Sequence, residues 1–178
     1  MNTPSLMLDP DRVTELGHQH ESRHAACVRR LTPLLRAGER ASLELLARTA
    51  REMVEAIDCT ECGRCCRYVA PEVEGDDQAR LAIALNLSIA ELRRRFLRPM
   101  WPGAAEEDQV WLLPDPCPFH DGRLCTVYEA RPQTCRDFPH LLRNDPVEQL
   151  QLYQDTAPLC LISYNIMERL CTQLSGSR

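Results

Sequence analysis

The stretch Cys59-Thr60-Glu61-Cys62-Gly63-Arg64-Cys65-Cys66 holds four of the chain's ten cysteines in eight residues. No other segment restricts the fold so strongly. C-x2-C-x2-C spacing lets successive thiolates turn back on one centre, as in short loops that hold zinc or an iron–sulfur cluster. Gly63 suits such a loop, because it reaches positive φ without a Cβ penalty and lets the sulfurs approach. The adjacent pair Cys65-Cys66 cannot both serve one small tetrahedral site without strain. One of the two is therefore expected to face a different centre, or a different part of a larger one.

Metal or disulfide is decided by compartment. Met1 to Pro10 carries no basic segment followed by an apolar one, so no signal peptide is expected. Nor is any apolar run long enough to span a bilayer. A cytoplasmic location follows as the expectation, where thiols stay reduced and a cysteine cluster binds metal. The competing expectation is a secreted disulfide scaffold, but 178 residues can bury a core without cross-links. A net charge of −5, a pI near 5.6 and 5% aromatic residues argue against a nucleic-acid surface.

The remaining pattern is helical. Residues 1–37 are expected to be a partly helical extension, in which His18, His20, His24 and Cys27 resemble a second ligand group. Their polar, arginine-rich setting favours a solvated helix face instead. From Gly38 to Ile57, Leu43, Leu46, Ala47, Ala50, Met53, Val54 and Ile57 form one apolar stripe at helical spacing. Tyr68–Pro71 is expected to be extended. Helices are predicted over 76–87, capped by Asp76 or Asp77, and over 89–98, opened by the capping box Ser88-x2-Glu91. A short strand is expected at Gln109–Leu113, a helix at 147–153 and a closing helix at 160–174. The domain is thus drawn as 38–174, followed by a tail at 175–178. The fold class is mainly α, a small single-domain helical metalloprotein with irregular cysteine-rich loops and at most a short β-hairpin.

Cys117, Cys125 and Cys135 fall in a proline-punctuated segment in which Asp121-Gly122 signals a tight turn that brings Cys117 and Cys125 together. His120 and His140 border this block as further ligand or proton-donor candidates. Cys160 opens the last helix, where the helix dipole and free amides should lower its pKa. Cys171 lies in an apolar helix and reads as a core residue.

Three blocks occur in order: Cys59-x2-Cys62-x2-Cys65-Cys66, then Cys117-Pro118-Phe119, then Cys125-Thr126-Val127-Tyr128-Glu129-Ala130-Arg131-Pro132 with Cys135-Arg136-Asp137-Phe138-Pro139. Together they resemble the YkgJ-type cysteine-cluster family over about residues 55–170. That family is described as zinc- or iron-chelating, and its members are often labelled iron–sulfur proteins. The resemblance implies eight metal-binding cysteines: Cys59, Cys62, Cys65, Cys66, Cys117, Cys125, Cys135 and Cys160. Cys27 and Cys171 match nothing in it. It also carries Arg131 and Arg136, which would offset cluster charge or donate to sulfur without being catalytic.

Eight thiolates could hold two zinc ions, or one iron–sulfur cluster with a zinc or spare thiols. The three-cysteine run matches that of bacterial [4Fe–4S] ferredoxins, and the chain lacks the second C-x2-C knuckle usual for zinc, so an iron–sulfur cluster is favoured over Zn2+. The expected role is structural, electron-transferring or sensing, with a protein redox partner and no nucleic-acid or membrane partner. The alternative is an enzyme related to flagellin lysine N-methylases, which carry the same cysteine domain. Seven glycines and no glycine-rich loop after a strand leave a methyl-donor pocket without support.

Overall fold

The computed structural model describes residues 5–105, 108–122, 124–138 and 145–175, with the backbone alone at Cys59. Residues 1–4, His140 and the 176–178 tail therefore lie outside the described residues. The helices are α1 (Pro10–Gln19), α2 (Glu21–Arg36), α3 (Arg40–Ala56), α4 (Cys65–Tyr68), α5 (Gly75–Leu85), α6 (Ile89–Phe96), α7 (Gln133–Asp137), α8 (Pro146–Thr156) and α9 (Leu161–Ser175). Two short strands, β1 (Arg98–Pro99) and β2 (Trp111–Leu112), complete a mainly α fold. The chain divides into two compact units, Met1–Cys62 with Pro139–Arg178, and Gly63–Phe138.

In the first unit, α9 packs against α1, α2, α3 and α8. Every residue from Leu161 to Met167 is buried, as expected of a helix enclosed on nearly all sides. Leu31, Met53, Leu150, Tyr153, Ile166, Met167 and Leu170 are almost wholly buried around it. The stripe read on 38–57 becomes α3, with Leu46, Ala50 and Met53 inward. Helix starts follow ordinary chemistry. Asp9 accepts from the Asp11 and Arg12 N–H groups ahead of Pro10, and Asp145 accepts from the Val147 and Glu148 N–H groups ahead of Pro146. Gly17 is required by space, since a Cβ there would lie 2.6 Å from the Pro158 Cα. Buried Asn165 donates to the Met7 and Leu161 carbonyls, both at 2.8 Å, and accepts the Met7 N–H at 2.9 Å, tying down the residues before α1.

The second unit is built on shorter pieces. Cys65–Tyr68 forms a helical turn where an extended segment was expected for Tyr68, and pairing begins only at Glu72, which bridges Leu112. β2 pairs antiparallel with β1 in the register Arg98↔Leu112 and Pro99↔Trp111, a partner that proline at 99 concealed in the sequence. The helix expected at 76 starts one residue earlier. Its N-cap is Glu74, and Asp77 sits at the third position, returning its carboxylate to the Glu74 N–H. Ser88 and Glu91 form the predicted capping box, worth about 1 kcal/mol. Asn86 at φ 54° makes the sharp junction between α5 and α6. Val73, Leu81, Ala82, Leu92, Leu113 and Phe119 form the core, with Cys117 and Cys125 packed against it. Among the described residues, no helix is long and apolar enough to cross a membrane.

Candidate metal centre

Cys66, Cys117, Cys125 and Cys135 gather in the Gly63–Phe138 unit, each half-buried. Cys66 lies on α4, and its carbonyl accepts the Cys117 N–H at 2.9 Å. The Cys117–Cys125 segment doubles back, with an antiparallel bridge between His120 and Cys125. The Asp121 N–H donates to the Leu124 carbonyl at 3.1 Å, and the Leu124 N–H donates to the Asp121 carboxylate at 2.7 Å. Gly122, at φ 103°, takes the left-handed position that the turn requires. Arg67 donates to the Gly122 carbonyl at 2.9 Å, linking this turn to α4. Cys135 sits in α7, whose first residue is anchored by the Gln133 N–H donating to Asp77 at 3.1 Å. Asp77 is 2% exposed and also binds Arg80, so one buried carboxylate ties the start of α5 to the helix that carries Cys135. Nothing in the sequence marked Asp77 beyond its capping role.

The sulfurs lie within electrostatic reach of one another. Burial pushes the Cys135 thiol up to about 12, with further increments from Cys66, Cys117 and Cys125, while Arg131 opposes them. Cys117 and Cys125 are raised chiefly by burial and partly by Cys66. Cys66 itself is lowered to about 7, first by the hydrogen bond with Cys65 and then by its own N–H and Arg67, against burial. Three thiols that resist ionisation around one that ionises readily are a donor set that needs a cation to become four thiolates. Backbone N–H groups already point at sulfur, from Phe119 and His120 to Cys117 and from Val127 to Cys125. Such donors favour the thiolate and orient it.

No three of the described sulfurs lie within 4.8 Å of one another. Tetrahedral zinc with bonds of about 2.3 Å places sulfurs about 3.8 Å apart, whereas a cluster spreads its ligands over several irons. Among the described cysteines there is no disulfide. Free, half-buried thiols with N–H donors at sulfur fit a metal ion or a cluster.

In the other unit, Cys62 bears electrostatically on Cys160. Cys160 occupies the residue before α9, as predicted, yet its thiol is raised rather than lowered. Burial outweighs the hydrogen bonds from Ser163 and Ile162, since desolvating a thiolate costs more than a helix end returns. The Cys59 side chain lies outside the described residues; its backbone opens a 3₁₀ turn over Cys59–Glu61. Gly63 takes φ 57°, as the loop reading required.

Arg131 lies over the Tyr128 ring, 3.7 Å from its centroid, and donates to the Tyr128 carbonyl at 2.7 Å. Its charge lowers both Cys125 and Cys135. Arg136 donates to the Arg131 carbonyl at 3.1 Å and to the Glu129 carbonyl, bracing the turn between Cys125 and Cys135. His120 accepts the Gly122 N–H on Nδ1 at 3.3 Å, while its Nε2 is buried without a hydrogen-bond partner.

A family model spans residues 58–161, more than half the chain and every cysteine named above as a ligand. The chain belongs to the CxxCxxCC family. That family is described as a "putative zinc- or iron-chelating domain", so the CxxCxxCC assignment and the free, half-buried thiols point to the same chemistry. The CxxCxxCC match leaves out α1, α2 and α3 and all of α9 beyond its first residue. Neither the curated proteins nor the solved structures contain a match to the chain.

Outside the matched region the structure corrects one expectation. His24 is 1% exposed, so the His18–His24 segment is not simply a solvated face. Cys171 is buried, as read, and it forms a thiol pair with Cys27, whose pKa is raised by that hydrogen bond and by burial.

Proposed function

We propose that this CxxCxxCC protein is a YkgJ-type, cytoplasmic iron–sulfur protein. Cys66, Cys117, Cys125 and Cys135 would hold one cluster, and Cys62 and Cys160, with Cys59 by sequence, form a second thiol group. Cys65 partners Cys66 by hydrogen bond and stands as the eighth ligand of the sequence pattern. The observation that carries this is the spacing of the described sulfurs, wider than a single zinc ion needs. When bound, the cluster cross-links α4, the turned segment and α7, and supplies one-electron chemistry for a protein redox partner. The chain's own part is to present four thiolates, hold them with N–H donors and set the local charge with Arg131, all of which influence reduction potential.

The test is metal and acid-labile sulfide analysis, with an absorption spectrum, on protein purified without oxygen. Expected are iron and sulfide at about four per chain for a [4Fe–4S] cluster, with a brown band that bleaches on reduction. Colourless protein carrying zinc alone would overturn the iron–sulfur assignment and make the site structural.

A further inference from the structure

Outside the matched region, three side chains of the helical unit meet. His20 lies at the junction of α1 and α2, His24 one turn into α2, and Glu168 on α9. His20 Nδ1 and His24 Nε2 are each 2.9 Å from the same oxygen, Glu168 Oε1, and all three donor atoms lie within 4.8 Å of one another. Among the described residues this is the one trio of His, Cys, Asp or Glu donors so closely grouped. We infer that His20, His24 and Glu168 form a binding site for a divalent first-row transition ion, with nitrogen and oxygen ligands. It is chemically distinct from the thiol groups and independent of how those are loaded.

The donor set is two imidazoles and one carboxylate, which suits iron(II), manganese, cobalt or zinc and leaves coordination positions open. Bonds of about 2.1 Å put adjacent ligand atoms of an octahedral shell about 3 Å apart, close to the 2.9 Å from each imidazole nitrogen to Glu168 Oε1. The other carboxylate oxygen is occupied: Arg23 donates to Glu168 Oε2 at 2.7 Å and reaches Thr172 Oγ1 at 3.3 Å. That fixes the carboxylate and turns Oε1 toward the imidazoles, the supporting arrangement that ligating carboxylates usually have. Tyr164 steadies both rings. It stacks on His20 at 6.3 Å, meets His24 edge-on at 6.0 Å, and its hydroxyl is 3.4 Å from His20 Nδ1. The His24 side chain is 1% exposed and Glu168 13%, but His20 is 31% exposed, leaving an entry path on one side. The rival arrangement is a closed cluster in which both rings donate to Glu168 and no ion enters.

The full chain, with its thiol groups loaded as purified, is titrated with Co2+ under argon. The expected result is about one further equivalent of cobalt per chain. It should give weak visible bands and no near-ultraviolet thiolate-to-cobalt band. His20→Ala and Glu168→Gln should each weaken this binding at least tenfold while thiol-bound metal stays unchanged. Should Glu168→Gln lose helical content, His20→Ala decides, because its side chain is partly at the surface. Unchanged cobalt affinity in His20→Ala, cobalt bound only through thiolate, or no cobalt bound at all would overturn the site.

Discussion

The helical unit and the cysteine-bearing unit are held together by different means. In the first, helices of 10 to 17 residues converge on α9, and the interior is mainly apolar, with buried Asn165 hydrogen-bonded to backbone. In the second, among the described residues, the longest helix has 11 residues, the strands have two, and much of the backbone from 100 to 138 is turns. Its core is six buried side chains with two of the cysteines against it. A core in a segment this short rarely supplies more than about 3–5 kcal/mol, so staples are needed. Asp77, Arg67 and Arg136 serve as polar staples, and a metal on the four thiols would be the strongest. The contrast teaches that regular helices can make a unit self-sufficient, whereas a unit of turns depends on what cross-links the turns.

Removing the metal should break the contrast open most widely. Structural metal sites contribute on the order of 10 kcal/mol to folding. Chelation, or Cys66→Ser, should therefore abolish amide-exchange protection within residues 63–138 while α2, α3 and α9 stay protected. Equal loss in both units would show that the helical unit is not self-sufficient. Next in size is the converse perturbation. Leu170→Ala removes a fully buried side chain from α9 and should cost about 2–5 kcal/mol in a denaturant melt, with metal content unchanged. A concomitant loss of metal would mean that the two units are energetically coupled. Smallest is Asp77→Asn, which takes away a buried charge that serves Arg80 and two N–H groups. It should cost about 1–3 kcal/mol and speed metal release through α7, read by transfer to a chromophoric chelator. An unaltered release rate would remove Asp77 from the support of Cys135.

Much of this was legible in the chain. The stripe from Leu43 to Ile57, the Ser88–Glu91 box and the Asp145-Pro146 start are local signals, and each sits where its helix forms. The cysteine blocks were equally plain, because ligand spacing is written in consecutive residues. Less legible was anything depending on a distant partner. Cys160 looked like a low-pKa thiol at a helix start, but only packing reveals that burial reverses the sign. His20 and His24 looked solvated because the carboxylate that meets them lies 144 residues beyond His24. Asp77 read as a cap, since its second task joins it to Gln133, 56 residues on.

The sequence by itself therefore determined α3, α5, α6, α8 and α9, the thiol chemistry and the membership of a metal-chelating family, all of which rest on residues close together along the chain. Tertiary structure alone decided which cysteines share a unit, which histidines are buried and which carboxylate they find. Those depend on burial and on charges brought together from far apart, and neither acts until the chain has closed on itself.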